Sequence, residues 1–169
     1  TALAVSTRAN GWGEEIAARF GSQPAAGAVA DMLARDLNCP RTSSAGRWFD
    51  AAAGLLGVST VMNYEGQAAM QLEALAARHR GAILEGGLWR LDGGVLDLLP
   101  LLQHLADERD AVAGAALFHS TLAAALTEWI ALAARRERIT TVALGGGCLL
   151  NRLLTAQLTA LLRARGLTV

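Results

Sequence analysis

Apolar positions recur every three or four residues along most of this chain, so the pattern predicts helices with a minority of strand. Residues 2–5 read as a strand remnant and 14–20 as a short helix. Pro24 stands where a helix can begin; Val29, Met32, Leu33 and Leu37 mark its apolar face, and it ends near Asn38, ahead of Cys39-Pro40-Arg41. Thr42, Ser43 and Ser44 are N-cap candidates for a helix carrying Trp48, Phe49, Ala52, Leu55 and Leu56, which Gly57 ends. After the loop Asn63-Tyr64-Glu65-Gly66 a further helix runs through Ala68, Leu72, Leu75 and Ala76 to His79.

The centre changes character. Ile83-Leu84, Leu88-Trp89-Arg90-Leu91 and Val95-Leu96 read as short strands around the turn Asp92-Gly93-Gly94. Residues 98–105 form a short helix, and Asp107 or Asp110 starts a long one. In it Ala111, Ala115, Phe118, Leu122, Leu126, Trp129 and Ala133 trace a single buried seam, and Arg135-Arg136-Glu137-Arg138 suits its C-terminal dipole. Residues 139–144 are apolar and β-branched, and read as a buried strand. Gly145, Gly146 and Gly147 follow, and helical spacing resumes at Leu149.

Strand, glycine turn and helix together bring a backbone close to a phosphate. Glycine has no Cβ to block the approach, and a helix N-terminus offers free N–H groups. A tight connection with no ligand is the plainer alternative, yet three glycines exceed its needs. The turn is neither a P-loop nor a GxGxxG fingerprint.

The 169 residues suffice for one domain with a real core. Acidic and basic residues balance at 15 each, and no basic stripe is interleaved with aromatics, which argues against nucleic acid as a partner. No apolar run is expected to reach the roughly 20 residues of a membrane helix, so no membrane partner is expected. The start Thr1-Ala2-Leu3-Ala4-Val5 is unlike a signal peptide. Cys39 and Cys148 have no metal-ligand spacing and suit a reducing, cytoplasmic setting. A first residue other than Met, and an end at Leu167-Thr168-Val169, suggest a piece excised from a longer polypeptide.

Three blocks carry a family resemblance: Leu37-Asn38-Cys39-Pro40-Arg41-Thr42-Ser43-Ser44-Ala45-Gly46-Arg47-Trp48-Phe49-Asp50, then Tyr64-Glu65-Gly66-Gln67-Ala68-Ala69, then the glycine block with Asn151-Arg152-Leu153-Leu154. In this order they resemble the C-terminal part of the HypF carbamoyltransferases of NiFe-hydrogenase maturation, over essentially the whole chain. The resemblance implies an α/β, helix-rich fold, part of an actin-like ATPase (ASKHA) fold similar to tRNA threonylcarbamoyl-transferring enzymes. It implies that 1–169 is a fragment of the carbamoyl-transferring, nucleotide-binding domain. The acylphosphatase-like, zinc-finger-like and YrdC-like parts would lie outside it, as would the extreme C-terminus.

The implied activity uses ATP to form carbamoyl-adenylate and passes the carbamoyl group to the C-terminal cysteine of a HypE-like acceptor, on the way to cyanide for the hydrogenase iron. A divalent metal belongs to the parent protein, its ligands falling outside this chain. The isolated piece is expected to be inactive, and unmet sheet edges favour its self-association. The alternatives are a non-catalytic helical module that docks a maturation partner, and another actin-like-fold O-carbamoyltransferase.

The resemblance also assigns residues. Asp50 takes the Phe-Asp position, a carboxylate that accepts from ribose hydroxyls; without it, an exposed helix acid paired with Arg47 would do. Gly66 aligns with a glycine near the adenosine or acyl-adenylate, where close backbone approach and positive φ are allowed; the plain alternative is a helix-leading turn with Glu65 near the dipole. Gly146 and Gly147 would face the phosphate. Asn151 matches an asparagine that contacts nucleotide, its amide able to donate and accept; the plain alternative is a helix cap. The family usually has Ser-Gly-Gly and then an aliphatic residue, whereas Gly145 and Cys148 stand here, which removes one hydroxyl donor. Cys148 is read as a small hydrophobe ahead of a low-pKa thiol. His79, His104 and His119 are expected on helix surfaces or ends, and Trp48, Trp89 and Trp129 in core seams. No general base or nucleophile is evident.

Overall fold

The computed structural model describes residues 19–40, 42–81 and 86–169, and within them the chain is built round one long helix. The elements run α1 (Ala26–Ala34), α2 (Ala45–Leu55), α3 (Gln67–Ala76), β1 (Arg90–Asp92), β2 (Val95–Asp97), α4 (Leu99–Asp107), α5 (Ala111–Glu137), a 3-10 turn (Gly147–Leu150) and α6 (Arg152–Ala164). The expected strand at 2–5 and Ile83-Leu84 lie outside the described residues. Of the expected helix at 14–20 only the last two residues are described, and both are helical.

Asp110 starts α5. Its carboxylate accepts from the N–H groups of Val112 at 2.8 Å and Ala113 at 3.2 Å, a cap worth about 1 kcal/mol. Arg138 ends the helix in the left-handed conformation, after cations that suit its C-terminal dipole. Ala115, Phe118 and Leu122 are buried as their spacing implies, but the single seam is not what forms. Gly114, Ala116, Leu117, His119, Thr121, Ala123 and Ala125 are buried too, while Trp129 is 41 % exposed. The cause is packing on several sides: α2, α3, α4 and α6 all lie against α5. By length and composition α5 could cross a membrane, contrary to the expectation that no such run occurs; here it is the central helix of the fold.

Phe49 of α2 meets Phe118 of α5 edge to face, with ring centroids 4.9 Å apart. His119 completes the group, at 5.8 Å from Phe49 and 5.6 Å from Phe118. Leu72 of α3, Leu101, Leu102 and Leu105 of α4, and Leu154 of α6 close the same core. α1 stays peripheral and buries no residue fully; Val29 and Leu37, expected on an apolar face, are 44 % and 58 % exposed.

The hairpin follows its glycines. Gly93 and Gly94 take φ of 55° and 82°, the two positive values a two-residue primed turn demands, and Leu91 pairs with Leu96 across it. Trp89 donates its indole N–H to Glu128 at 2.9 Å, and Trp129 donates to the Gly94 carbonyl at 2.7 Å. Trp48 and Trp89 pack on the core, whereas Trp129 serves as a hairpin anchor at the surface.

Residues 139–144 are not a buried strand. One parallel bridge joins Thr141 to Thr168, with Val142 N–H donating to the Thr168 carbonyl at 2.8 Å, and Ile139 is 51 % exposed. Extended β-branched chain is present, but among the described residues it has no second neighbour to cover it.

Truncating Phe49 to Ala would open a cavity against Phe118, His119 and the leucines. Urea unfolding of the variant is expected to show a loss of about 3–5 kcal/mol; a loss below about 1 kcal/mol would mean the ring is not central to the core.

Candidate functional site

The glycine block lies at the start of α6 but does not run straight into it. Gly146 has φ 104° and ψ 161°, a region that only glycine occupies without strain. The 3-10 turn from Gly147 to Leu150 follows, and α6 begins at Arg152, not at Leu149 as the spacing suggests. A Cβ placed on Gly145, Gly146 or Gly147 would meet no atom within 4 Å. The protein's own packing therefore makes no use of their small size. Among the described residues, the N–H groups of Gly146, Gly147 and Cys148 also have no partner. Open space beside unpaired amides is what an anion-accepting turn requires.

The first turn of α6 is different, because the amides of Arg152, Leu154 and Thr155 are already engaged. Arg152 N–H donates to Glu73 Oε1 at 3.0 Å, and Leu154 N–H donates to Asn151 Oδ1 at 2.9 Å. Thr155 N–H donates to the Asn151 carbonyl at 3.0 Å. Asn151 itself is buried, 6 % exposed, and its Nδ2 lies 3.0 Å from His119 Nε2. Its amide thus serves the cap and His119.

His119 is 1 % exposed in the middle of α5, not at a helix surface or end as expected. Its Nδ1 lies 2.8 Å from the Ala115 carbonyl, which can only accept, so Nδ1 carries the proton. Nε2 is then the acceptor that the Asn151 amide requires. Burial pushes the His119 pKa below its ordinary 6.5, against the hydrogen bond to Ala115 and the nearby Glu73 carboxylate, which both favour the cation.

Asp50 sits on α2 beside this turn. Arg47 approaches its Oδ2 at 2.9 Å, but off the hydrogen-bond line, so that oxygen keeps an unfilled acceptor position. The Cys148 thiol is pushed up by partial burial and then by the Asp50 charge, which keeps it protonated and unreactive at neutral pH. Gly46, in the first turn of α2, would carry a Cβ 4.0 Å from Cys148 Sγ. Asp50 and the glycine turn are therefore neighbours.

Gly66 is the N-cap of α3 at φ 80°, with no atom near its missing Cβ. It stands seven residues before Glu73, about 10 Å along the helix from the contact with α6. Asp50, Gly146, Gly147 and Asn151 thus fall together around the 3-10 turn, with Gly66 two turns away along α3. The described cavities are lined by none of these five residues. Ser44 occupies the N-cap position of α2 without a side-chain bond; its N–H donates instead to Thr42 Oγ1 at 3.1 Å. Among the described residues no three His, Cys, Asp or Glu side chains stand together as a metal site.

Residues 1–169 match the family described as carbamoyltransferase, Kae1-like domain, second subdomain. The chain belongs to this family. It is 47 % identical over 193 residues to the carbamoyltransferase HypF2 of Cupriavidus necator, covering 98 % of this chain and 24 % of that protein. A carbamoyltransferase HypF homolog of the same organism is 53 % identical over 166 residues, covering 90 % of this chain and 42 % of its own length. The fold is similar to a crystal structure of full-length HypF in its phosphate- and nucleotide-bound form. The TM-score is 0.76 at 26 % identity, covering 99 % of this chain and 23 % of that one. This chain therefore spans about a quarter of HypF2 and under half of the homolog.

Sequence reasoning missed His119 and Glu73. His119 had a signal, since it follows Phe118 directly on the seam helix, but a histidine there reads equally as a surface group. Glu73 had none, because its partner is a backbone amide 79 residues away.

Because folding depresses the His119 pKa, the unfolded chain binds more protons below pH 6.5. Stability is full above that value and falls as the pH drops from it toward the lower folded value, by up to about 1.4 kcal/mol per pH unit. Urea midpoints compared between pH 7.5 and 5.5 should show this loss in the wild type and a flatter profile in His119→Gln. Parallel profiles would mean that His119 titrates alike in both states.

Proposed function

We propose that this chain supplies part of the nucleotide-binding face of a HypF-type carbamoyltransferase. There a carbamoyl group leaves carbamoyl-adenylate for an acceptor thiolate, such as the C-terminal cysteine of a HypE-like protein. The observation that carries the proposal is the open glycine turn, with Gly146 at φ 104° and three unpaired amides. Membership of a carbamoyltransferase family supports it, as does likeness to a HypF that was crystallised with phosphate and nucleotide.

In this reading the adenylate phosphate rests on the amides of Gly146, Gly147 and Cys148. Asp50, across Cys148 from the turn, accepts from the ribose. Gly66 lets the adenosine approach the start of α3. Asn151 holds the turn through its cap and its own N–H, which donates to the Cys148 carbonyl at 3.3 Å.

The acceptor cysteine gives its proton to solvent water, and the thiolate sulfur attacks the carbamoyl carbon. The C–S bond forms, the bond from that carbon to the adenylate phosphate oxygen breaks, and AMP leaves with the electron pair. Negative charge grows on the phosphate as it leaves, and fixed N–H dipoles stabilise that charge without having to reorganise. Cys148, held protonated, is not the nucleophile. The thiocarboxamide would then be the precursor of the cyanide ligand. Among the described residues no ligand set for a divalent metal is assembled, so a metal of the parent protein would be held by residues outside them.

The Thr141–Thr168 bridge, a parallel pairing across α6, fits a partial actin-like fold whose sheet would continue elsewhere in the parent protein. The two free thiols fit a cytoplasmic enzyme. A docking role for the helical surface is the second reading, favoured by Val95, Trp129 and Leu132, which are exposed together beside the hairpin.

Gly146→Val in the intact enzyme would force a β-branched residue into a glycine-only conformation at the turn. Titration calorimetry is expected to show AMP bound at least about tenfold more weakly, with circular dichroism unchanged. Wild-type affinity in this variant would defeat the nucleotide reading and favour the docking role.

A further inference from the structure

We propose that His119 is a positioning residue for the nucleotide turn: it orients the Asn151 amide, and Asn151 fixes the 3-10 turn to α6 with the glycine amides facing outward. The proposal rests on the nucleotide reading above and adds a residue to it.

The connections are continuous and buried. Ala115, one helical turn before His119, accepts from Nδ1 at 2.8 Å and so fixes the tautomer. Nε2 can then only accept, and the nitrogen facing it at 3.0 Å must be the Asn151 NH2 group. That choice turns Asn151 Oδ1 toward the Leu154 N–H, 2.9 Å away. An amide flipped the other way would set two acceptors against each other at His119 and two donors at Leu154. His119 thus dictates which way the cap faces.

The cap is tied to the turn. Asn151 N–H donates to the Cys148 carbonyl, and Thr155 Oγ1 donates to the Leu149 carbonyl at 2.6 Å. Two carbonyls of the 3-10 turn are therefore held by the first turn of α6. With its carbonyls turned back toward α6, the turn leaves the N–H groups of Gly146, Gly147 and Cys148 on its free side. Glu73 holds the same helix start from α3 through the Arg152 amide, with Arg152 Nε at 3.8 Å from the same oxygen. Phe49 and Phe118 pack against the His119 ring in edge-to-face geometry and the ring is buried, so no water replaces a lost partner without opening the core.

The test uses the intact carbamoyltransferase and AMP as the probe. His119→Leu removes the acceptor, while His119→Gln keeps an amide oxygen able to accept from Asn151. AMP affinity is expected to fall at least about tenfold in His119→Leu and to return within about threefold of wild type in His119→Gln. Leu105→Ala, in the α4 side of the core, is the control: it destabilises the fold and should leave AMP affinity unchanged. Turnover at saturating adenylate should change far less than the affinity, because His119 touches no reacting atom.

Should His119→Leu not fold, Asn151→Ser replaces it. That variant keeps a capping acceptor for Leu154, is too short to reach His119, and should show the same loss. Wild-type AMP affinity in the folded His119→Leu or in Asn151→Ser overturns the positioning role while leaving the nucleotide reading intact. So does an equal loss in Leu105→Ala, which would make the effect one of general stability. A wild-type enzyme that binds no AMP removes both.

Discussion

One buried hydrogen bond organises this end of the molecule: the Asn151 amide on the neutral His119 ring. A polar pair inside an apolar core is tolerated only when each group is satisfied, because an orphaned donor or acceptor there costs about 1–3 kcal/mol. Here every requirement is met in sequence, from the Ala115 carbonyl through both ring nitrogens to the Leu154 amide. The same pair fixes where α6 begins, and the glycine turn inherits its geometry from that start.

The rest of the core supplies the conditions for that bond. Alanines and Gly114 along α5 keep its surface low, so that α2, α3, α4 and α6 approach it on several sides. Phe49 and Phe118 then enclose His119 and exclude water from it. This burial keeps the ring neutral, and neutrality allows it to accept from Asn151. Asp50 stands one residue beyond Phe49 on α2, so the helix that closes the core also carries the carboxylate to the edge of the turn.

The sequence was most legible where local chemistry decides. Asp92-Gly93-Gly94 specifies its turn, because only glycine takes two successive positive φ values cheaply, and the hairpin forms there. Asp110 caps α5 as an N-terminal aspartate should. Legibility failed where distant chain decides. Residues 139–144 carry strand residues, but whether a strand is covered depends on its neighbours in the sheet, and among the described residues only Thr168 pairs with them. Alanine marks no face, so the many-sided burial of α5 could not be told from a single seam. Asn151 suited both a ligand contact and a cap, and the partner that engages its amide lies on another helix. The three glycines are the opposite case: their excess over what a turn needs was visible, and the empty space about them is the matching structural fact.

The central claim is that an adenylate phosphate rests on the amides of Gly146, Gly147 and Cys148. Amide hydrogen exchange of the intact enzyme, with and without saturating AMP, reads those three groups directly. Slowed exchange concentrated at 146–148, with the already bonded amides of Arg152 and Leu154 unchanged, is the predicted result. AMP bound tightly with exchange at 146–148 unaltered would contradict the account.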